Sequence, residues 1–145
     1  MRVMVLAKSS PEAEAMEHDG EGMEHDGDGM EAMGRFTEEL VAAGVLLAAD
    51  RLHPSSKGAR VRFDGSSRTV IDGPFTEAKE LVAGFWIWQV RSLDEAIEWL
   101  KRAPFEGGEF EIRQIFEMTD LGDALTPELA EQWERLGSTS AAPKS

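Results

Sequence analysis

Three histidines, many carboxylates and a few basic side chains make up most of this chain's acid–base chemistry, because it has no cysteine and no tyrosine. One histidine stands apart. His53 lies in Leu52-His53-Pro54-Ser55-Ser56, directly after Arg51. An imidazole titrates near neutral pH, so His53 is suited to proton transfer or to an anion contact. The same ring serves equally well as a loop hydrogen-bonding group. Asp72 opens Asp72-Gly73-Pro74-Phe75, where Asp caps, Gly permits unusual backbone and Pro sets the next φ. A carboxylate beside Phe75 is also placed to act as a general base. Glu77 and Lys79 follow within one turn of chain. They read as a solvated face, or Lys79 binds an anionic ligand beside Asp72. His53 and Asp72 are therefore the candidate catalytic residues, and Arg51, Glu77, Lys79 and Trp86 the candidate ligand contacts. No Gly-rich phosphate loop, G-x-S-x-G elbow or H-E-x-x-H helix occurs, so no cofactor or metal is expected.

The elements that must position these residues follow from hydrophobic periodicity. Residues 30–43 predict a helix with Met33, Phe36, Leu40 and Val41 on one face and Gly44 as its stop. Residues 45–52 predict a strand. Residues 60–63 and 68–71 flank Asp64-Gly65-Ser66-Ser67, a hairpin signal. Arg60 and Arg62 alternate onto one face there, which reads as a charged edge. Residues 83–91 predict a strand apolar on both faces, one with Phe85 and Ile87, the other with Trp86, Trp88 and Val90. Ser92-Leu93-Asp94-Glu95 is a capping box leading a helix that carries Ala96, Ile97, Trp99 and Leu100. Residues 110–117 predict a last strand. Thr126 and Pro127 open a short C-terminal helix with Leu129, Trp133 and Leu136 on one side, before a polar tail from Gly137.

The charge is uneven. The chain carries a net charge of −13, and residues 11–33 hold nine of its acids with no Lys or Arg. Within them Met16-Glu17-His18-Asp19-Gly20 is repeated as Met23-Glu24-His25-Asp26-Gly27. The Met spacing suits a helical stripe, but Gly20, Gly22, Gly27 and Gly29 oppose it. Residues 9–29 are expected to form an acidic, Gly-rich insert loop. Its carboxylates and imidazoles have weak metal-binding character, and Asp26-Gly27-Asp28-Gly29 lacks the other ligands of a calcium loop. The acidic balance argues against nucleic acid and anionic membranes as partners. No run reaches the roughly 20 apolar residues of a membrane span. With no secretory segment visible, a cytoplasmic protein is the expectation.

The element order describes an α+β protein: a ferredoxin-like βαβ-hairpin-βαβ sandwich over residues 1–122, then a C-terminal helix and tail over 123–145. Its helices cover one sheet face. The strand over 83–91 is apolar on both, so the second face, expected to carry Trp86 and Trp88, predicts a homodimer.

The stretch Asp72-Gly73-Pro74-Phe75-Thr76-Glu77-Ala78-Lys79-Glu80 resembles the D-G-P-F signature of the YCII-related family. Glu39–Leu47 and Leu52-His53-Pro54-Ser55-Ser56 before it, with Gly84-Phe85-Trp86 after, extend the resemblance over about residues 1–120. It implies the dimeric α+β barrel fold shared with muconolactone-isomerase-like proteins. It also implies, for the enzymes of the family, a His on the first helix and an Asp in a D-P-aromatic turn. Met33 and Ala103 occupy those positions here, and His18 and His25 do not match. Isomerase or dehydrochlorinase chemistry is therefore not carried over. The expected function is a small-molecule-binding dimer with acid–base chemistry on a small acidic or cyclic ligand. The alternative is a non-enzymatic regulatory or protein-interaction module.

Overall fold

A computed structural model describes residues 1–18, 27–76 and 81–140. Two compact units divide the chain, Met1–Gln114 and Ile115–Ser145. The first contains β1 (Arg2–Lys8), α1 (Pro11–His18), α2 (Gly27–Ala42), β2 (Leu46–Arg51), β3 (Ala59–Asp64), β4 (Ser67–Asp72), β5 (Val82–Gln89), α3 (Leu93–Lys101) and β6 (Phe110–Gln114).

Four strands form an antiparallel sheet in the order β2-β5-β1-β6. β1 and β2 run parallel with β5 between them, and β5 and β6 run parallel with β1 between them. These are the two split βαβ units of a ferredoxin-like fold, as the sequence predicts.

Which face is the core corrects the sequence reading. Val3, Val5, Trp88, Val90, Phe36, Leu40 and Ala96 form one buried cluster, with Trp86 packed against it. α2 and α3 therefore cover the face bearing Trp86 and Trp88, and Trp88 is fully buried. The opposite face carries Phe85 and Ile87, which pair with Leu6 and Met4 of β1 and are half-buried. Both faces of β5 are apolar, so periodicity alone does not tell them apart. The side that receives the helices is the one where Phe36 and Trp86 meet edge to face, ring centroids 6.2 Å apart.

α2 ends as its sequence requires. Gly44 takes φ +72. Gly44 N–H donates to Val41 O and Val45 N–H to Leu40 O, the paired bonds of a Schellman cap, while Leu40 and Val45 are both buried. Val41, expected on the core face, is 59% exposed. It sits one residue, about 100° of rotation, past Leu40, outside the stripe that meets the sheet.

α3 begins at Ser92, whose hydroxyl accepts from Glu95 N–H at 3.1 Å. The return arm of the expected capping box goes elsewhere: the Glu95 carboxylate accepts from Arg91 Nε at 2.8 Å and Arg91 N–H at 3.3 Å. The Arg91 hydrogen bond holds the Glu95 carboxyl below its ordinary value. Ser92→Ala should lower stability by about 1 kcal/mol. Urea unfolding of both proteins checks this, and coincident midpoints would show that the cap contributes nothing.

The expected insert loop is also corrected in part, because residues 11–18 are helical. Ser10 caps α1 by accepting from Ala13 N–H at 3.1 Å, and Pro11 takes the first helical position, where a missing N–H costs nothing. α2 begins at Gly27, three residues before the expected start. Residues 19–26, including His25, lie outside the described residues.

β3 and β4 pair only with each other. Asp64 faces Ser67 across Gly65-Ser66, and Gly65 takes φ +59, fitting the first loop position of a type II′ turn. Arg68 lies over the Phe63 ring at 4.5 Å.

The second unit contains a 3-10 segment, Met118–Ala124, and α4 (Pro127–Ser140). Thr126 caps α4 through Leu129 N–H at 3.1 Å. The helix passes through Gly137, where the sequence suggests a stop. Gly137 lacks the positive φ of a helix-ending glycine, and a glycine in helical conformation weakens a helix without ending it. No helix among the described residues is long and apolar enough to cross a membrane.

Candidate functional site

Three chain segments gather at one end of the sheet. β1 leaves it at Lys8 and β2 at Arg51, while β5 enters it at Val82. Backbone bonds fix the exits: Leu52 N–H donates to Ala83 O at 2.8 Å and Ser9 N–H to Leu81 O at 3.0 Å. The loop after β2, the Asp72-Gly73-Pro74-Phe75 turn and the start of α1 are thereby brought together.

Ser55 is where they join. It begins a short 3-10 turn, Ser55–Lys57. Its hydroxyl accepts from Phe75 N–H at 3.0 Å and donates to a Glu14 carboxylate oxygen at 2.6 Å. The other Glu14 oxygen accepts from Ser55 N–H at 2.8 Å. Gly73 N–H donates to Gly58 O at 3.1 Å, continuing the β3–β4 ladder by one pair. Behind the turn, Arg60 lies over the Phe75 ring with Cζ 3.7 Å from the centroid.

Glu14 carries no sign of a site role in the sequence. It is the one charged residue buried among those described, at 7% exposure. A buried carboxylate is expensive unless hydrogen-bonded, and both of its oxygens are satisfied by one serine 41 residues away. The Ser10-Pro11 helix start was the available signal that residue 14 lies on a helix. Nothing local announces its partner.

The sequence-predicted residues fall into three groups. His53 and Asp72 are exposed and lie on the two segments that Ser55 joins. Among the described residues no hydrogen bond links their side chains. Arg51 ends β2 at the same edge. Trp86 is elsewhere, in an aromatic layer with Trp88 at 5.3 Å, Phe105 at 6.0 Å and Phe110 at 6.2 Å between centroids. Glu77 and Lys79 lie outside the described residues.

A groove of about 560 Å³ opens at the other end of β5, lined by Val45, Val90, Trp99, Arg91 and Arg102 among others. Both arginines are engaged there, Arg91 by Glu95 and Arg102 by Glu39 at 2.6 Å. It touches none of the motif residues, so the chemistry of the Ser55 junction is the better guide to a site than the size of the groove.

Comparison with known proteins gives three findings. A YCII-related domain matches residues 1–119. An uncharacterized protein of Rhizobium meliloti is 37% identical over 78 residues, which span 52% of this chain and 63% of that protein. The chain is also similar, at 17% identity and a TM-score of 0.34, to 5-chloro-2-hydroxyhydroquinone dehydrochlorinase from Burkholderia phenoliruptrix AC1100, solved with 2,5-dihydroxybenzoquinone. That match covers 83% of this chain and 99% of the other. Met33 and Ala103, which stand where the resemblance implies a His and an Asp, both pack against the core cluster.

Proposed function

The chain belongs to the YCII-related domain family, and from that premise we propose a cytoplasmic homodimer that binds a small acidic or cyclic molecule. The site is the junction of residues 52–56 with residues 72–75, with His53 and Asp72 as its acid–base groups. The observation that carries the reading is the Ser55 hydroxyl, which ties the two segments together through Phe75 N–H. Polar side chains on loops held by a rigid sheet are where binding and proton transfer are usually placed. Arg51 supplies positive charge at this edge, and Lys79 and Glu77 are proposed as further ligand contacts. Trp86 is engaged by neighbouring rings and is left out.

The dimer is proposed through the sheet face bearing Met4, Leu6, Phe85 and Ile87, which α2 and α3 do not cover. Apolar residues on such a face are stabilised by burial against a second copy.

Nuclear magnetic resonance titration with benzoate and with a cyclic unsaturated carboxylate tests the site. Amide shifts concentrated at residues 51–56 and 72–76 are expected, together with a His53 ring signal that responds to Asp72→Asn. Shifts centred on Trp99 and Arg102 instead would move the site to the other groove. A His53 signal indifferent to Asp72→Asn would end the pairing.

One observation favours a second reading, a protein-interaction module. Phe116, Trp133 and Leu136 of the second unit are 69%, 50% and 49% exposed. A chain that binds no small acid, yet loses a partner's binding on Trp133→Ala, would support it.

A further inference from the structure

The acid–base reading uses the Ser55 hydroxyl only as the acceptor for Phe75 N–H, and leaves its bond to the buried Glu14 carboxylate unused. A hydroxyl has a single proton to donate, and Ser55 gives it to Glu14 over 2.6 Å. That is the short distance of a charge-assisted O–H···O⁻ bond. The carboxylate does not swing freely, because its second oxygen is held by Ser55 N–H at 2.8 Å. Burial at 7% exposure removes most of the water that would compete for it. Ser55 itself is only half-buried, and its neighbour Ser56 is exposed, so reagents in solution have a path to the turn. A hydroxyl in hydrogen-bond reach of a base that a third group orients is the arrangement that activates a serine. Here the orienting group is the serine's own backbone N–H.

We propose that Ser55 is a nucleophile and Glu14 its general base, and that the junction takes an ester as substrate. Ser55 Oγ attacks the acyl carbon and forms the Oγ–C bond as its proton passes to Glu14. The ester C–O bond then breaks, and the departing oxygen takes the proton from Glu14, leaving an acyl-Ser55 ester and a free alcohol. Water hydrolyses the acyl ester, giving its proton to Glu14, which returns it to Ser55 Oγ as the acid departs. The proposal goes beyond binding of an acidic ligand and stands without the His53–Asp72 pair.

A fluorophosphonate probe tests it on the full chain without a known substrate. Ser55 Oγ displaces fluoride from phosphorus and its proton leaves with the fluoride, so the intact protein gains the mass of one probe less HF, mapped by peptide sequencing to Ser55. Ser55→Ala should abolish that adduct. Glu14→Gln should slow it about 100-fold or more, the usual contribution of a positioned general base. Circular dichroism confirms that each variant is folded. Should Glu14→Gln fail to fold, Glu14→Asp keeps a carboxylate one methylene shorter, and slowed labelling at Ser55 is then expected. A folded parent protein left unlabelled at Ser55 by saturating probe would overturn the proposal. So would a folded Glu14→Gln protein labelled at the parent rate, since either result would leave the pair as a structural clasp only. Neither outcome bears on whether small acids bind or whether the chain dimerises.

Discussion

Trp88→Ala should lower the stability of the Met1–Gln114 unit by about 3–5 kcal/mol, the range for truncating a buried large aromatic. Trp88 is fully buried, stacks on Trp86 at 5.3 Å and lies in the cluster with Val3, Val5, Leu40 and Val90. Trp88→Phe should cost clearly less than the alanine change. The indole Nε1 is buried and finds no acceptor among the described residues, so the phenyl ring removes an unsatisfied donor along with some volume. The neighbouring position should behave differently. Ile87 lies on the opposite face of β5, and Ile87→Asp should leave the fold standing while converting a dimer to a monomer. Urea unfolding and light scattering read the two effects separately. A Trp88→Ala protein as stable as its parent would sink the assignment of the core face. A parent that is itself monomeric, or an Ile87→Asp protein that remains dimeric, would remove the interface proposed on Ile87.

That contrast also marks where sequence stops informing the fold. Alternation along β5 identified the strand and its two apolar faces, because a period of two survives any context. It did not say which face the helices cover, since Phe85 and Ile87 are as hydrophobic as their neighbours. The choice is made by the fit of Phe36, Leu40 and Ala96 against Trp86 and Trp88, a property of packed volume and not of pattern. The hairpin and the Gly44 stop were legible because each is a local backbone requirement carried by one glycine. α1 was legible in principle from Ser10 and Pro11, but the surrounding acids and glycines hid it. The candidate site was half legible. The D-G-P-F stretch and the loop bearing His53 do meet, as their positions after strands suggest. The residue that fastens them to α1, Glu14, was not. One glutamate in a run of acids carries no sign that it is buried, and its partner lies far along the chain.

Gly73→Ala should cost about 3 kcal/mol or more, above the usual range for an inserted methyl group. A Cβ at position 73 would sit 1.7 Å from Ser55 O, 2.6 Å from Ser55 C and 3.3 Å from Ser56 N. All three are backbone atoms, so no rotamer change relieves the contact. Moving the loop is costly as well. Ser55 N–H is held by Glu14, Ser55 O accepts from Gly58 N–H at 2.9 Å, and Gly58 O accepts from Gly73 itself. Parting the turn from the loop breaks the Gly73–Gly58 bond and the Phe75–Ser55 bond, and shifting Ser55 alone breaks its bonds to Glu14 and Gly58. Two controls sharpen the result. Gly107→Ala, where nothing lies within 4 Å of an added Cβ and φ is not positive, should change stability by less than about 0.5 kcal/mol. Ser55→Ala should fail to rescue Gly73→Ala in the double variant, because the clash is with the carbonyl of residue 55 and not with its hydroxyl. Thermal or urea unfolding of the four proteins decides the matter. If Gly73→Ala melts with its parent, residues 52–58 do not lie against the turn. The contact between Ser55 and Phe75 is then lost, along with the site proposed where these two segments meet.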